Sequence, residues 1–293
     1  MNEMIKPPAA SPDGTDAEAR PVFAQERRIL GIPASTWPGI LAPIAVGVLI
    51  LCFWEAMVRI KGIPPYILPG PLLIVQTLIS DWGTLSEALL ITLRVTFAAL
   101  LAAITVGVAL AVLFTQSKWL EKSLFPYAVI LQVTPIVAIA PLIIIWVGDI
   151  KLSLLICAWI VAFFPILSNT IIGLNSADHN LINLFQLYGA SRWQTLRYLR
   201  LPAALPFFLA GLKISGGLAL IGAVVAEFVA GSGGSASGLA YRILESGYQL
   251  RIPRMFAALL LISLSGIAIF FVTSIIAHLA LRRWHESAVT REN

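Results

Sequence analysis

Glu227 and Lys213 lie in an otherwise apolar stretch of this 293-residue chain, residues 203–230, and their placement there invites a chemical role. They are separated by roughly 21 Å if the stretch is helical, at about 1.5 Å of rise per residue. Both cannot lie outside a hydrocarbon layer about 30 Å thick. Lys213, near one end, can extend its ammonium to the interface along its aliphatic stem. Glu227 has two readings: a charge that lines a pathway or gate, or a carboxylate paired with a loop arginine such as Arg242. The other reactive residue types form no constellation. His179, His278 and His285 are scattered, with no metal-ligand spacing. Cys52 and Cys157 each sit inside an apolar run and read as small packed residues. A nucleotide-binding loop needs Gly-x4-Gly-Lys-Ser/Thr so that backbone amides and a lysine surround the phosphates. No Gly-Lys followed by Ser or Thr occurs, and the glycine-rich run 231–238 has no lysine. No serine-nucleophile motif is present either. The chain is expected to have no catalytic residues and no metal site.

Composition identifies the elements that carry these residues. The chain is 58% hydrophobic and 12% charged, with a mean hydropathy of +0.88. A soluble domain carries about 25% charged residues, so this chain lacks the polar surface that water requires. Five charge-free intervals, 29–54, 95–117, 123–148, 152–177 and 255–281, are each long enough to cross a bilayer as a helix. Residues 203–230 make a sixth. Barrel strands would alternate in polarity over about 10 residues, and these runs do not. The fold class is therefore all-α membrane, with six transmembrane helices. Twelve Lys and Arg residues fall in the tails and the second-to-third and fourth-to-fifth connections, against six in the remaining connections. That bias places both termini in the cytoplasm. The net charge of +5 is explained in this way, and no basic surface interleaved with aromatics points to nucleic acid.

Residues 1–35 are polar and rich in proline and alanine, and read as a disordered cytoplasmic tail. They lack the form of a signal peptide. Residues 36–284 form the six-helix domain, and 285–293 a second cytoplasmic tail. The prolines between 63 and 71 forbid a regular helix there, and a short helix is expected from about Leu72 to Asp81. The third span contains Pro126, Pro135 and Pro141. These imply a bent helix, which either borders a pathway or packs with a kink; Pro135 and Pro141 are the candidate gate prolines beside Glu227. Gly211, Ser215, Gly216, Gly217, Ala219, Gly222, Ala223 and Ala226 make the fifth span thin, as at a close helix–helix contact.

Residues 175–206 are too polar to span and too ordered in pattern for a random loop. Ser176 or Asp178 can cap a helix that runs to Tyr188, and Gly189 suits the left-handed residue after it. Ser191 caps a second helix, Arg192 to about Leu199, and Pro202 enters the fifth span. Leu181, Leu184, Phe185 and Tyr188 follow the i, i+3, i+4, i+7 spacing of an apolar stripe. That stripe packs either on the protein's own surface or on a partner.

Gly189-Ala190-Ser191, Gln194 and Leu201-Pro202 resemble the EAA loop of permeases of ATP-binding cassette importers, type I. Aligned on Gly189, the Glu-Ala-Ala positions of that loop fall on Asn183, Leu184 and Phe185, so an amide stands where the family has a glutamate. Trp54-Glu55, Leu68-Pro69-Gly70-Pro71, Thr92-Leu93-Arg94, Thr134-Pro135 through Gly148, and Ala226-Glu227-Phe228 are similar to the nitrate/sulfonate/taurine branch, which includes thiamine- and riboflavin-related permeases. The resemblance implies a permease in the cell inner membrane with a cytoplasmic coupling helix between the fourth and fifth spans. Asn183, Leu184, Phe185, Tyr188, Gly189, Ala190, Ser191, Gln194, Leu201 and Pro202 then form the ATPase-coupling loop. It further implies two ATPase subunits that hold the ATP and Mg, an extracytoplasmic binding protein, and usually a second copy of the permease. The solute would be a nitrate-, sulfonate- or taurine-like anion, or a thiamine- or riboflavin-type pyrimidine precursor. The alternative is a secondary transporter or channel working without an ATPase, which predicts mid-membrane coupling carboxylates and repeated halves.

Overall fold

The computed structural model describes residues 28–29, 32–33, 37–231 and 237–282, with side chains from Leu41 onward. Of the expected N-terminal tail, only a short antiparallel backbone pair is described, β1 (Arg28–Ile29) with β2 (Ile32–Pro33). The C-terminal tail, 285–293, lies outside the described residues. The described residues up to Phe53 belong to one unit and those from Trp54 to Arg282 to another. The helix α1 (Trp37–Ile60) contains the break between them. From Leu41 to Phe53 it carries exposed apolar side chains all round, as a helix facing lipid does.

The second unit is a bundle. The helix α2 (Pro71–Ser80) begins on a proline, where the missing N–H has no bond to lose. It agrees with the short helix expected there. The helix α3 spans Trp82–Gln116, starting thirteen residues before the charge-free run at 95. The charge-free run marks only the part in hydrocarbon; the helix itself continues through Glu87 and Arg94, because backbone pairing does not stop at the interface.

The third span is two helices, α4 (Lys118–Val133) and α5 (Ile136–Val147), bent by 104° at Thr134-Pro135. A residue before proline is pushed out of the helical region, and Thr134 accordingly sits at φ −69°, ψ 123°. Pro126 and Pro141 lie within regular helix, so one of the three prolines makes the corner. If the bent pair counts as one span, the described residues contain six. The helix α6 (Ile150–Leu174) follows, capped by Asp149, whose carboxylate accepts the Leu152 N–H at 2.7 Å.

Two short helices come next: α7 (His179–Leu187) and α8 (Arg192–Thr195). The sequence implies that the second would end near Leu199, apart from the fifth span. Instead α8 runs through a π turn, Leu196–Arg200, directly into α9 (Leu201–Ala230), giving one helical run of 39 residues. Pro202 has no N–H and its ring crowds the carbonyl four residues earlier; widening the preceding turn relieves both. The helix α10 (Leu239–Tyr248) and the last span, α11 (Ile252–Leu281), complete the unit.

The thin face of α9 lies at the centre of this unit. A Cβ on Gly211 would meet the Pro165 carbonyl of α6 at 2.7 Å, and one on Gly222 would meet the Ala158 Cα at 2.9 Å. Gly216 faces Ile269 of α11. Ser215 donates to the Ala162 carbonyl at 2.7 Å, tying α9 to the α6 backbone. Helices in lipid gain nothing from hiding apolar surface from water, so close backbone approach and such hydrogen bonds hold them together.

Candidate functional site

At one end of the bundle, α7 is held out by local bonds. Asp178 accepts the Asn180 N–H at 2.8 Å, fixing the first turn. Gly189 adopts φ +68°, and the Ala190 N–H returns to the Phe185 carbonyl at 2.9 Å, closing the last turn. Ser191 and Gln194 form a reciprocal capping box at 3.2 and 2.7 Å. These bonds define the angle between α7 and α8. Phe185 and Ala190 are half-buried against the body, together with Ile182. Leu181 and Leu184 are exposed, Tyr188 is 84% exposed, and Leu187 is 85% exposed. Asn183 is also exposed, and its amide makes no side-chain hydrogen bond among the described residues. Leu201 is half-buried and Pro202 exposed. Leu187 and the exposed Trp193 were not part of the expected stripe. Position i+6 falls off the i, i+4, i+7 face, but a helix projecting into solvent presents its tip on several sides.

At the opposite end lies Glu227, with a relative exposure of 3%. Its Oε1 accepts the Thr92 hydroxyl at 2.8 Å, and its Oε2 accepts the Ala240 N–H at 3.0 Å. The Leu239 N–H donates to Thr92 Oγ1 at 2.9 Å. The carboxylate and hydroxyl together satisfy the first N–H groups of α10, a position that favours negative charge. The expected pairing with Arg242 is absent. Arg242 instead binds Glu245, one turn along its own helix, at 2.9 Å. Gly238 packs directly on the Glu227 carboxylate, and any side chain there would displace it.

Glu55 repeats the arrangement. Near the end of α1, it accepts the Leu72 N–H of α2 at 3.2 Å and pairs with Arg59 at 2.6 Å. Gly70 provides the close approach. In both cases a span-end glutamate receives the start of a short helix that follows a glycine. Trp54-Glu55, the 68–71 segment, Thr92 and Ala226-Glu227 are brought together here in pairs. Thr92 stands in the sequence only as part of a motif, and nothing local links it to Glu227 or Leu239, 135 and 147 positions away; Gly238 and Ala240 carry no signal of their own. Arg254 adds a third tie, donating to Thr84 at 3.0 Å with Asp81 at 3.4 Å.

Pro135 sits at the α4–α5 corner beside a cavity of about 300 Å³, bordered by Gln132, Thr134, Pro165 and Leu218 and lined by no charged side chain. Pro141 is exposed on α5 and does not line it. Glu227 is likewise not among the lining residues.

Residues 103–285 match the family described as the binding-protein-dependent transport system inner membrane component. The chain belongs to this family of ATP-binding cassette importer permeases. It is 34% identical over 274 residues to the riboflavin transport system permease protein RibX of Chloroflexus aurantiacus, covering 91% of this chain and 98% of that one. It is 34% identical over 232 residues to the formylaminopyrimidine transport permease protein ThiX of Halalkalibacterium halodurans, covering 78% and 89%. A chain of the MetNI methionine ABC transporter, solved in inward facing conformations, shares the fold at a TM-score of 0.56 and 20% identity, over 67% of this chain and 95% of that one. The protein is thus a multi-pass permease subunit for a small solute. Its family works with an ATPase and a binding protein. Membership in this family sets aside the alternative of a transporter acting without an ATPase.

Proposed function

We propose that α7 and α8 form the surface on which the partner ATPase docks, and that the α7 end of the permease faces the cytoplasm. The observation that carries this is the pair Leu187 and Tyr188, more than four-fifths exposed at the tip of a helix rigidly fixed by its caps. Exposed apolar side chains on a fixed element outside the spans mark a partner site. The ATPase would hold the ATP and Mg, and this chain would hydrolyse nothing. Closure of two ATPases would push on α7, and the continuous run from Arg192 to Ala230 would carry the tilt across the bundle. A second copy of the permease would complete the pathway against the exposed Ile145 and Trp146 of α5, with lipid covering the remaining apolar faces.

The solute in this reading is a small neutral nitrogen heterocycle, in line with the likeness to riboflavin and formylaminopyrimidine permeases. Selection would rest with the extracytoplasmic binding protein, and calorimetry of that protein against heterocycles and anions checks the class.

The docking reading is tested by Leu187→Asp with Tyr188→Asp. Co-purification of the ATPase should fall at least tenfold while the permease still inserts and runs as an intact species on size exclusion. Normal ATPase recovery from the double variant would refute the site.

A further inference from the structure

Two cavities, of about 660 and 320 Å³, open at the α7 end and share Thr115, Lys118 and Arg200 in their walls. The first adds Lys122 and Glu121; the second adds Arg192. Four cations and one carboxylate thus surround one cleft. None of the four cations forms an ion pair among the described residues, where the ion pairs are Arg59–Glu55, Arg242–Glu245 and Arg254–Asp81. A concave site with uncompensated charge of one sign concentrates the opposite ion.

The position of the cleft narrows the choice of ion. Lys118 and Lys122 lie in the first two turns of α4, immediately after the span α3 ends at Gln116. Arg200 closes the π turn where the span α9 begins. The end of α6, Leu174 and Asn175, also borders the cleft. The cleft therefore lies at the level where three spans leave the hydrocarbon. Trp119 beside it is 74% exposed and Tyr127 is exposed one helical stretch further in, as aromatics at a membrane surface are. Leu187 and Tyr188, the proposed ATPase contact, line neither cavity. The cleft thus avoids the docking tip but is walled by the inner side of the same loop, through Ile182, Gln186 and Ala190 and through Arg192 and Thr195 of α8.

We propose that this cleft binds the phosphate of an anionic phospholipid, held by Lys118, Lys122 and Arg200 with Arg192 at its rim. Basic pockets between spans on the cytoplasmic side suit such headgroups. Bound there, the phosphate would bridge α4 to the π turn, and so bias the segment that joins the docking loop to α9. The proposal rests on placing the α7 end at the cytoplasmic membrane surface.

The test is native mass spectrometry of the purified permease–ATPase complex with phosphatidylglycerol or phosphatidylcholine added, and separately with inorganic phosphate. The wild type should retain phosphatidylglycerol in preference to phosphatidylcholine. Lys118→Gln with Arg200→Gln should weaken that retention about 25-fold, at about fivefold for each cation removed near a headgroup. Lys118→Arg should preserve it, and Arg251→Gln at the far end should leave it unchanged. Equal retention by the wild type and the double variant would overturn the proposal. So would binding of inorganic phosphate without retention of the lipid. Loss of the ATPase from the double variant with lipid still retained would assign the cleft to the partner protein instead. Failure of the docking reading itself would show differently, as a wild-type complex indifferent to Leu187 and Tyr188.

Discussion

Glu227 is a carboxylate buried among apolar helices, and what offsets its desolvation is a set of donors: the Thr92 hydroxyl and the Ala240 N–H. Its role in this conformation is to anchor α10 to α9. That role predicts a difference between two substitutions. Glu227→Gln can keep both contacts, with its carbonyl accepting from Ala240 and its amide donating to Thr92. Glu227→Ala leaves the Ala240 N–H and the Thr92 hydroxyl without this acceptor, at about 1–3 kcal/mol for a buried unsatisfied group. Hydrogen exchange at Leu239 and Ala240 should rise in the alanine variant and stay close to wild type in the glutamine variant, which should also keep uptake. If Glu227→Gln instead abolishes uptake while exchange at these amides is unchanged, the charge itself serves the pathway. Glu55 carries the same logic more weakly, since its side chain is partly exposed.

At the scale of elements, α9 depends on glycines that differ in what they face. Gly222 lies against the backbone of Ala158, which cannot move aside as a side-chain tip would. Gly217 on the same helix has open space where a Cβ would go. Gly222→Leu should therefore prevent stable folding, since overpacking costs about 1–3 kcal/mol even for small additions. Gly217→Leu should purify in normal yield. Comparison of monodisperse yields in detergent reads the difference; equal behaviour of the two variants would show that α9 does not pack on α6 as described. The α4–α5 corner follows the same local logic, with Pro135 rather than its neighbours setting the break, because Thr134 before it has left the helical region.

For the whole molecule, α3 and α9 each run from one end of the bundle to the other, joining the α2–α10 end to the α7–α8 end. Exposed tyrosines mark both: Tyr188 at the α7 end and Tyr248, 87% exposed, at the end of α10. A membrane-impermeant maleimide should label Tyr188→Cys in inverted vesicles and Tyr248→Cys in intact spheroplasts, each in a background with Cys52 and Cys157 replaced by serine. The opposite pattern would invert the orientation that the loop charges imply.

The sequence by itself determined which runs are long and apolar enough to span, where α2 and α7 form, that Gly189 ends α7, and that the family is an importer permease. These follow from local causes: length of apolar runs, caps, proline and glycine geometry, and a loop motif contiguous in sequence. Only the tertiary structure decided what Glu227 does, since Thr92, Gly238 and Ala240 reach it from other elements. The local reading of Arg242 as its partner failed because a glutamate one turn away, Glu245, was nearer. Only the structure, too, showed that the second loop helix continues into the fifth span through a π turn, and that of the three prolines in the third span Pro135 makes the corner. Proline type marks where a backbone is able to bend; the φ and ψ taken by the residue before it decide where it does.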